Sequence, residues 1–320
     1  MKCLVTGASG FVGGVLANAL LARGDEVVAL DKRPYPGDSS PGGLCVVQSD
    51  VNDFPTVLAA MRDCAVVFHI AAARSVPGSF SDPMEYFRSN SMGTASVLEA
   101  ARQAGCRRVV IASSSSVYGD PARLPVREDS PLLPKSPYAS SKVCAEMASI
   151  AYGRDFGLPV VRLRYFNIYG PRPDREDEYL EVVPRFLLAM GSGKSPEVFG
   201  DGSAGRDFIH VEDIVSATIL AADAAAAPGN AYNIGSGASL SVSEVISSIN
   251  RLLGTSIEPR FKPEREGDVH STHADISAAR RDLGYEPQLP FSEGLARTAR
   301  AYGLLCADDG TLRSFQRNHP

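Results

Sequence analysis

The chain has 320 residues, 44% hydrophobic and 22% charged, with a net charge of -5 and a pI near 5.6. It is long enough for a large core in one big or two modest domains, and the lack of any polybasic stretch argues against a nucleic-acid partner. Cys3, Cys45, Cys64, Cys106, Cys144 and Cys306 are scattered without CxxC spacing, which speaks against disulfides and zinc. With no basic leader and no apolar run of about 18 residues, a soluble protein of the reducing cytoplasm, without a membrane partner, is expected.

Taken in chain order, short β-rich runs alternate with helical patterns through the first half. Strands are predicted over 2–5, 26–30, 44–48, 66–70, 108–113 and 160–165. Between them, helical spacing over 11–23 stops at Gly24 and over 84–104 stops at Gly105, glycines that suit helix C-caps. This order predicts the α/β class, with βαβ units building a doubly wound parallel sheet of Rossmann type. Beyond Gly170 the polar loop "GPRPDREDEY" marks a second, smaller region. It is predicted to be discontinuous, because "RDFIHVEDIVSATILAADA" and "NAYNIGSG" look like strand, helix and strand returning to the sheet. Ser241 and Glu244 form a capping box before a helix to about Leu253, and 275–283 reads as a helix ended by Gly284. The alanine run from Ala224 to Ala227 reads as a helix end, and the tail after Gly303 has no strong pattern.

"CLVTGASGFVGG" places Gly7, Gly10 and Gly13 between the first strand and the first helix. Glycines there permit a tight turn and close backbone approach, so amides at a helix N-terminus can cradle a pyrophosphate. Asp31 follows the second strand, where a carboxylate accepts hydrogen bonds from adenosine ribose hydroxyls. That favours NAD, since a 2'-phosphate would meet negative charge, although Lys32 and Arg33 beside it are the residue types that NADP needs. Asp50, after the third strand, stands where an acidic side chain can meet an adenine amino group.

"SPYASSKVCAEM" sets Tyr138 and Lys142 four residues apart, on one face of a predicted helix. "VVIASSSSVYG" ends the fifth strand in Ser113, Ser114, Ser115 and Ser116, at the carboxyl edge where open α/β sheets hold ligands. An ammonium close to a phenol lowers its pKa from about 10, which makes a base usable near neutrality. A serine hydroxyl can polarise the same substrate oxygen. Among the serines, the residue pattern alone leaves Ser113, Ser114 and Ser115 open.

Together, TGASGFVG, SSSSVYG, YASSK and RYFNIYGPR resemble the extended short-chain dehydrogenase/reductase family, in its nucleotide-sugar epimerase and dehydratase branch, with a likeness to UDP-glucose and UDP-N-acetylglucosamine 4-epimerases over roughly residues 1–303. The resemblance implies an NAD-binding Rossmann domain over 1–168, rejoined by 205–236, a nucleotide-sugar domain over 169–204 and 237–303, and a tail over 304–320. It implies Tyr138 as the base on a sugar hydroxyl, Lys142 as the holder of the nicotinamide ribose, and Ser114 as the hydroxyl partner. Cofactor contacts are implied for Gly7, Gly10, Phe11, Val12, Gly13, Asp31, Lys32, Asp50, Val51, Ala71, Ala72, Ala73, Arg74, Asn90, Tyr138, Lys142 and Tyr165. Nucleotide-sugar contacts are implied for Ser114, Ser115, Asn167, Val183, Arg206, Arg265, Asp268 and Thr272. A homodimer through a helix pair is also implied. His270 and His273 form HxxH, but no further metal ligands accompany them, and no metal is expected.

Members of the branch share oxidation at C4 and then diverge. The 4,6-dehydratases need an added acid and base and resemble "TDEVYG"; here Ser115 and Ser116 occupy the acidic positions, which favours 4-epimerisation through a transient 4-keto sugar. Thr272 aligns with a position where a bulky tyrosine narrows the sugar pocket, so UDP-GlcNAc/GalNAc and UDP-Glc/Gal both fit. UDP-glucuronate ranks third, because uronate epimerases tend to carry "FTVYGP" where this chain has "FNIYGP". A dehydratase, a ketosugar reductase with exchangeable NAD(P) and a non-catalytic NAD sensor are the alternatives.

Overall fold

Apolar runs too short for helices and bounded by glycine make the central sheet. In the computed structural model, which describes residues 1–36, 42–172, 180–264, 267, 269 and 271–305, β1 (Lys2–Thr6) leads into α1 (Phe11–Ala22), β2 (Glu26–Asp31), β3 (Leu44–Gln48), α2 (Phe54–Ala60) and β4 (Val66–His69). Then come α3 (Val76–Ser81), α4 (Pro83–Tyr86), a π-helical turn over Phe87–Met92 and α5 (Gly93–Ala104). β5 (Arg108–Ser114), a 3-10 turn over Ser115–Tyr118, α6 (Pro137–Phe156) and β6 (Val160–Tyr165) follow. The second half holds β7 (Asn167–Tyr169), α7 (Val182–Gly191), β8 (Glu197–Phe199), β9 (Gly205–Arg206), β10 (Phe208–His210), α8 (Val211–Asp223) and β11 (Ala231–Ile234). It ends with β12 (Leu240–Ser241), α9 (Val242–Leu253), β13 (Arg260–Lys262), α10 (Ser277–Leu283) and α11 (Phe291–Ala301).

Seven strands form one sheet in the order β11-β6-β5-β4-β1-β2-β3, every neighbouring pair parallel. β1, β4, β5 and β6 are buried along almost their whole length, the pattern of a sheet covered on both faces. Leu16 and Leu20 of α1 and Ile214 and Ala217 of α8 pack into the core on one side. Val57 of α2 and Val97 and Leu98 of α5 pack into the other. The order reverses beside β1, between β2 and β4, and ligand sites of such sheets lie at that carboxyl edge.

Of the segment expected to return to the sheet, β11 does so, pairing with β6 with Ile234 opposite Tyr165, whereas β10 pairs with β7 outside it. Outside the large sheet, β7–β10, β9–β12 and β8–β13 make two-stranded pieces. Around them, Phe186 and Leu187 of α7, Ile249 and Leu253 of α9 and Leu295 of α11 form a separate core.

Several local expectations change. The helix predicted over 84–104 is interrupted by the π turn, and α10 begins at Ser277 rather than at Asp275. α2, α7 and α11 are elements that the sequence reading did not anticipate. Ser241 and Glu244 do make the reciprocal capping box, and Gly105 and Gly284 end their helices in the left-handed region. No helix among the described residues is long and apolar enough to cross a membrane.

Candidate active site

The carboxyl ends of β1, β2, β4, β5 and β6 border a cleft of about 520 Å³. Its floor is the glycine loop. Gly7 has φ +71, and a Cβ there would lie 2.7 Å from the Ala71 nitrogen. A Cβ on Gly13 would lie 2.1 Å from the Gly7 carbonyl oxygen. Only hydrogen fits at either position, so the N-terminus of α1 comes against the strand ends with its amides facing the cleft. Asp31, at the end of β2, accepts from the Ser9 amide at 3.0 Å and the Arg33 amide at 2.9 Å, which holds its carboxylate at the cleft wall. A backbone cradle with a fixed carboxylate one strand away fits a dinucleotide. Phe11, Val12, Lys32, Asp50, Val51, Ala71, Ala72, Ala73, Arg74 and Tyr165 line the same cleft, as do Gly7, Gly10 and Gly13.

At the other end, α6 carries Tyr138 and Lys142 into the cleft beside Ser114 of β5. Ser136 caps this helix through the Ala139 amide at 3.1 Å, and Pro137 stands in its first turn, so the Tyr138 position is fixed within a turn of the helix start. Lys142 is buried, and its ammonium donates to the Ala112 carbonyl at 3.0 Å. Burial pushes its pKa down to about 8, against the pull of Glu146. Tyr86 meets Tyr138 edge to face, with ring centroids 6.3 Å apart.

The serines separate by their partners. Ser113 donates to Glu146 Oε1 at 2.5 Å, which commits its proton to a buried carboxylate. Ser114 Oγ accepts from the Ser116 amide at 3.2 Å and the Ser116 hydroxyl at 2.9 Å. Its own proton is therefore left to donate outward.

Asn90 does not itself line the cleft. It accepts from the Ala73 amide at 2.8 Å and donates to the Ala73 carbonyl at 3.0 Å and to Ser141 Oγ at 2.9 Å, so it ties the alanine wall to α6. The π turn carries Asn90, which is buried; such insertions recur at functional sites. A further wall was not legible in the sequence. Glu181, just before α7, accepts from Arg74 at 2.8 Å and from Arg172 at 2.5 Å, and the Arg172 guanidinium lies 5.1 Å from the centre of the Phe11 ring. Ser49, Ser75 and Ser89 also line the cleft without a sequence signal for it, and Arg33 lines it beside Lys32. Glu181 carried no motif to reveal it.

Among the residues expected on the nucleotide-sugar side, Asn167 lines the cleft. It donates to the Asp207 carbonyl at 3.0 Å and reaches Thr272 Oγ1 at 3.4 Å, so buried Thr272 stands behind Asn167 rather than on the cleft surface. Arg206 donates to the Val269 carbonyl at 2.6 Å and the Gly205 carbonyl at 3.0 Å, away from the lining. Ser115 is not part of the lining, and the Val183 side chain is buried in the core of the second region. Arg265, Asp268 and His270 lie outside the described residues; His273 Nε2 donates to the Gly237 carbonyl at 2.8 Å.

A parallel sheet of this order, a glycine cradle and a tyrosine and lysine facing a strand-end serine define a dinucleotide enzyme of the extended short-chain dehydrogenase/reductase class. The family model described as "NAD dependent epimerase/dehydratase family" matches residues 3–235. The chain is 38% identical over 310 residues to a UDP-glucose 4-epimerase of Mycolicibacterium smegmatis, covering 94% of this chain and 98% of that protein. Among solved structures it is similar to MoeE5 in complex with UDP-glucuronic acid and NAD, at 38% identity and a TM-score of 0.87, covering 95% of this chain and 99% of the other. It is also similar to a UDP-N-acetylglucosamine 4-epimerase from Methanobrevibacter ruminantium, at 32% identity and a TM-score of 0.88, covering 94% and 97%. The chain belongs to the NAD-dependent epimerase/dehydratase family, and NAD is its cofactor.

Proposed function

We propose that this site inverts C4 of UDP-N-acetylglucosamine or UDP-glucose, giving the galacto isomers. The chain is an NAD-dependent UDP-sugar 4-epimerase, and the choice of sugar is the finer reading. The observation that carries it is the convergence of Tyr138, Lys142 and an outward-donating Ser114 on one cleft, with no carboxylate in the two positions after Ser114.

In this reading the glycine loop, Asp31 and the wall of Val51, Ala71, Ala72 and Arg74 hold NAD, which supplies reversible hydride exchange at C4 when bound. Lys142, charged and buried, stabilises the phenolate of Tyr138, which takes the proton of the C4 hydroxyl. Ser114 donates to the same oxygen and steadies the charge that develops there. The proton returns from Tyr138 after the sugar has turned its other face. On the sugar side we assign contacts to Asn167, which lines the cleft, and, from the family resemblance, to Arg265 and Asp268; the substrate domain is assigned to 169–204 and 237–303.

We further propose a cytoplasmic homodimer. Free Cys3, Cys45, Cys64, Cys106 and Cys144 support the reducing setting, and exposed Met92 on the π turn and Met147 and Phe156 on α6 support a helix-pair interface. UDP-glucuronate is the second reading, favoured by the likeness to MoeE5 with that sugar nucleotide.

Proton NMR of the purified protein with UDP-GlcNAc, UDP-glucose and UDP-glucuronate in separate tubes, without added cofactor, tests the proposal. Growth of the galacto anomeric signal in either of the first two tubes is expected. Turnover confined to the third would move the assignment to the uronate, and a 4-keto-6-deoxy signal would replace epimerase with dehydratase.

A further inference from the structure

Behind the cleft runs a polar chain that the reaction above does not use. Glu146 follows Lys142 by one helical turn and is 1% exposed. Its carboxylate accepts from Arg164 of β6 twice, at 3.0 and 2.7 Å, and from Ser113 of β5 at 2.5 Å. Arg164 in turn donates to the Tyr118 hydroxyl at 2.7 Å, and Tyr118 donates to Asn233 of β11 at 2.6 Å. A buried ion pair of this kind is a poor source of stability, because desolvation offsets its attraction. Its placement suggests another use.

We infer that Glu146 is a positioning residue for the Tyr138 and Lys142 pair: it fastens α6 to β5 and β6 behind them, and it supplies the buried negative charge that keeps Lys142 protonated. Lys142 binds Ala112 and Glu146 binds Ser113, consecutive residues of the strand that ends in Ser114. The helix bearing the base is thus tied at two points to the strand bearing the hydroxyl.

Lys142 is 6% exposed, and removal of water favours its neutral form. Around the pair, His69 of β4 is buried and held neutral, its pKa pushed down to about 3 by burial and by Lys142. Tyr86 of α4 is uncharged, and Arg74 stands on the cleft wall in its ion pair with Glu181. Arg162 and Arg164 of β6 lie around Glu146, Arg164 as its ion-pair partner. Of these groups, Glu146 is the one that raises the Lys142 pKa. Without it, Lys142 loses its proton at lower pH and Tyr138 faces a neutral amine.

This inference rests on Tyr138 being the base, so its test reads ionisation apart from turnover. Ultraviolet titration of the NAD-loaded protein, minus the same titration of Tyr138→Phe, isolates the Tyr138 phenolate. Glu146→Gln is expected to raise that midpoint by about one unit and to bring the alkaline limb of kcat down to lower pH. Because a lone buried Arg164 can unfold the single variant, Glu146→Gln/Arg164→Gln removes both charges and is expected to move the midpoint in the same direction by a smaller amount, since loss of the Arg164 charge partly offsets loss of Glu146. A lower melting temperature with an unmoved midpoint in the folded variant would reduce Glu146 to a structural strut and overturn the inference. Full turnover by Tyr138→Phe would instead overturn the assigned base.

Discussion

The two halves of the molecule use different means to place a side chain. In the first, Gly7, Asp31, Ser114, Tyr138 and Lys142 sit at the ends of long buried strands or in the first turns of capped helices, where backbone hydrogen bonds fix them. Beyond β6, short two-stranded pieces and loops carry Asn167, Arg206 and Thr272; Asn167 reaches Asp207 and Thr272, and Arg206 reaches Val269. On the proposed function, the common chemistry falls to the sheet edge and discrimination among sugars to the loop-borne region.

The comparison breaks most readily at the sheet edge. Tyr138→Phe should lower kcat by about 10²–10⁴-fold while the protein keeps its NAD, measured by steady-state turnover and by cofactor released on denaturation. Retained turnover would mean that the chemistry lies elsewhere. Acid should act on the same half. His69, with its pKa depressed from 6.5 to about 3, binds protons more readily when unfolded, so folding stability falls as pH drops from 6.5 towards 3, by on the order of a few kcal/mol. Urea unfolding at pH 7 and pH 4 should show a smaller loss in His69→Gln than in the parent.

Gly13→Ala forces a methyl against the Gly7 carbonyl and should cost about 1–3 kcal/mol, read as a lower melting temperature and reduced NAD content. A fully loaded, equally stable variant would contradict the cradle. The smallest effect falls where the halves meet. Glu181→Ala breaks a partly exposed pair of ion bridges and should change KM by no more than about fivefold with kcat preserved. A collapse of kcat would give the second half a share of the chemistry.

Much of the first half could be read directly because its signals are local. The glycines, the strand-end serines and the Tyr138 and Lys142 spacing each depend on near neighbours, and they do converge on one cleft. The π turn could not be read, because "MEYFRSNSMGT" has ordinary helical spacing and the bonds of Asn90 to Ala73 and Ser141 that accompany the wider winding join distant parts of the chain. Glu181 was hidden for the same reason: its partners Arg74 and Arg172 come from distant parts of the chain. Thr272 is placed by likeness on the sugar surface, yet it stands behind Asn167, whose side-chain amide donates to the Thr272 hydroxyl oxygen.

The central claim is most directly tested with a UDP-sugar deuterated at C4, either the glucose or the N-acetylglucosamine form, incubated with the purified protein and followed by NMR. The account predicts both C4 epimers with deuterium still at C4 and none in water. Deuterium at C6, or in an added NAD pool, would contradict it and make the protein a dehydratase or a dehydrogenase.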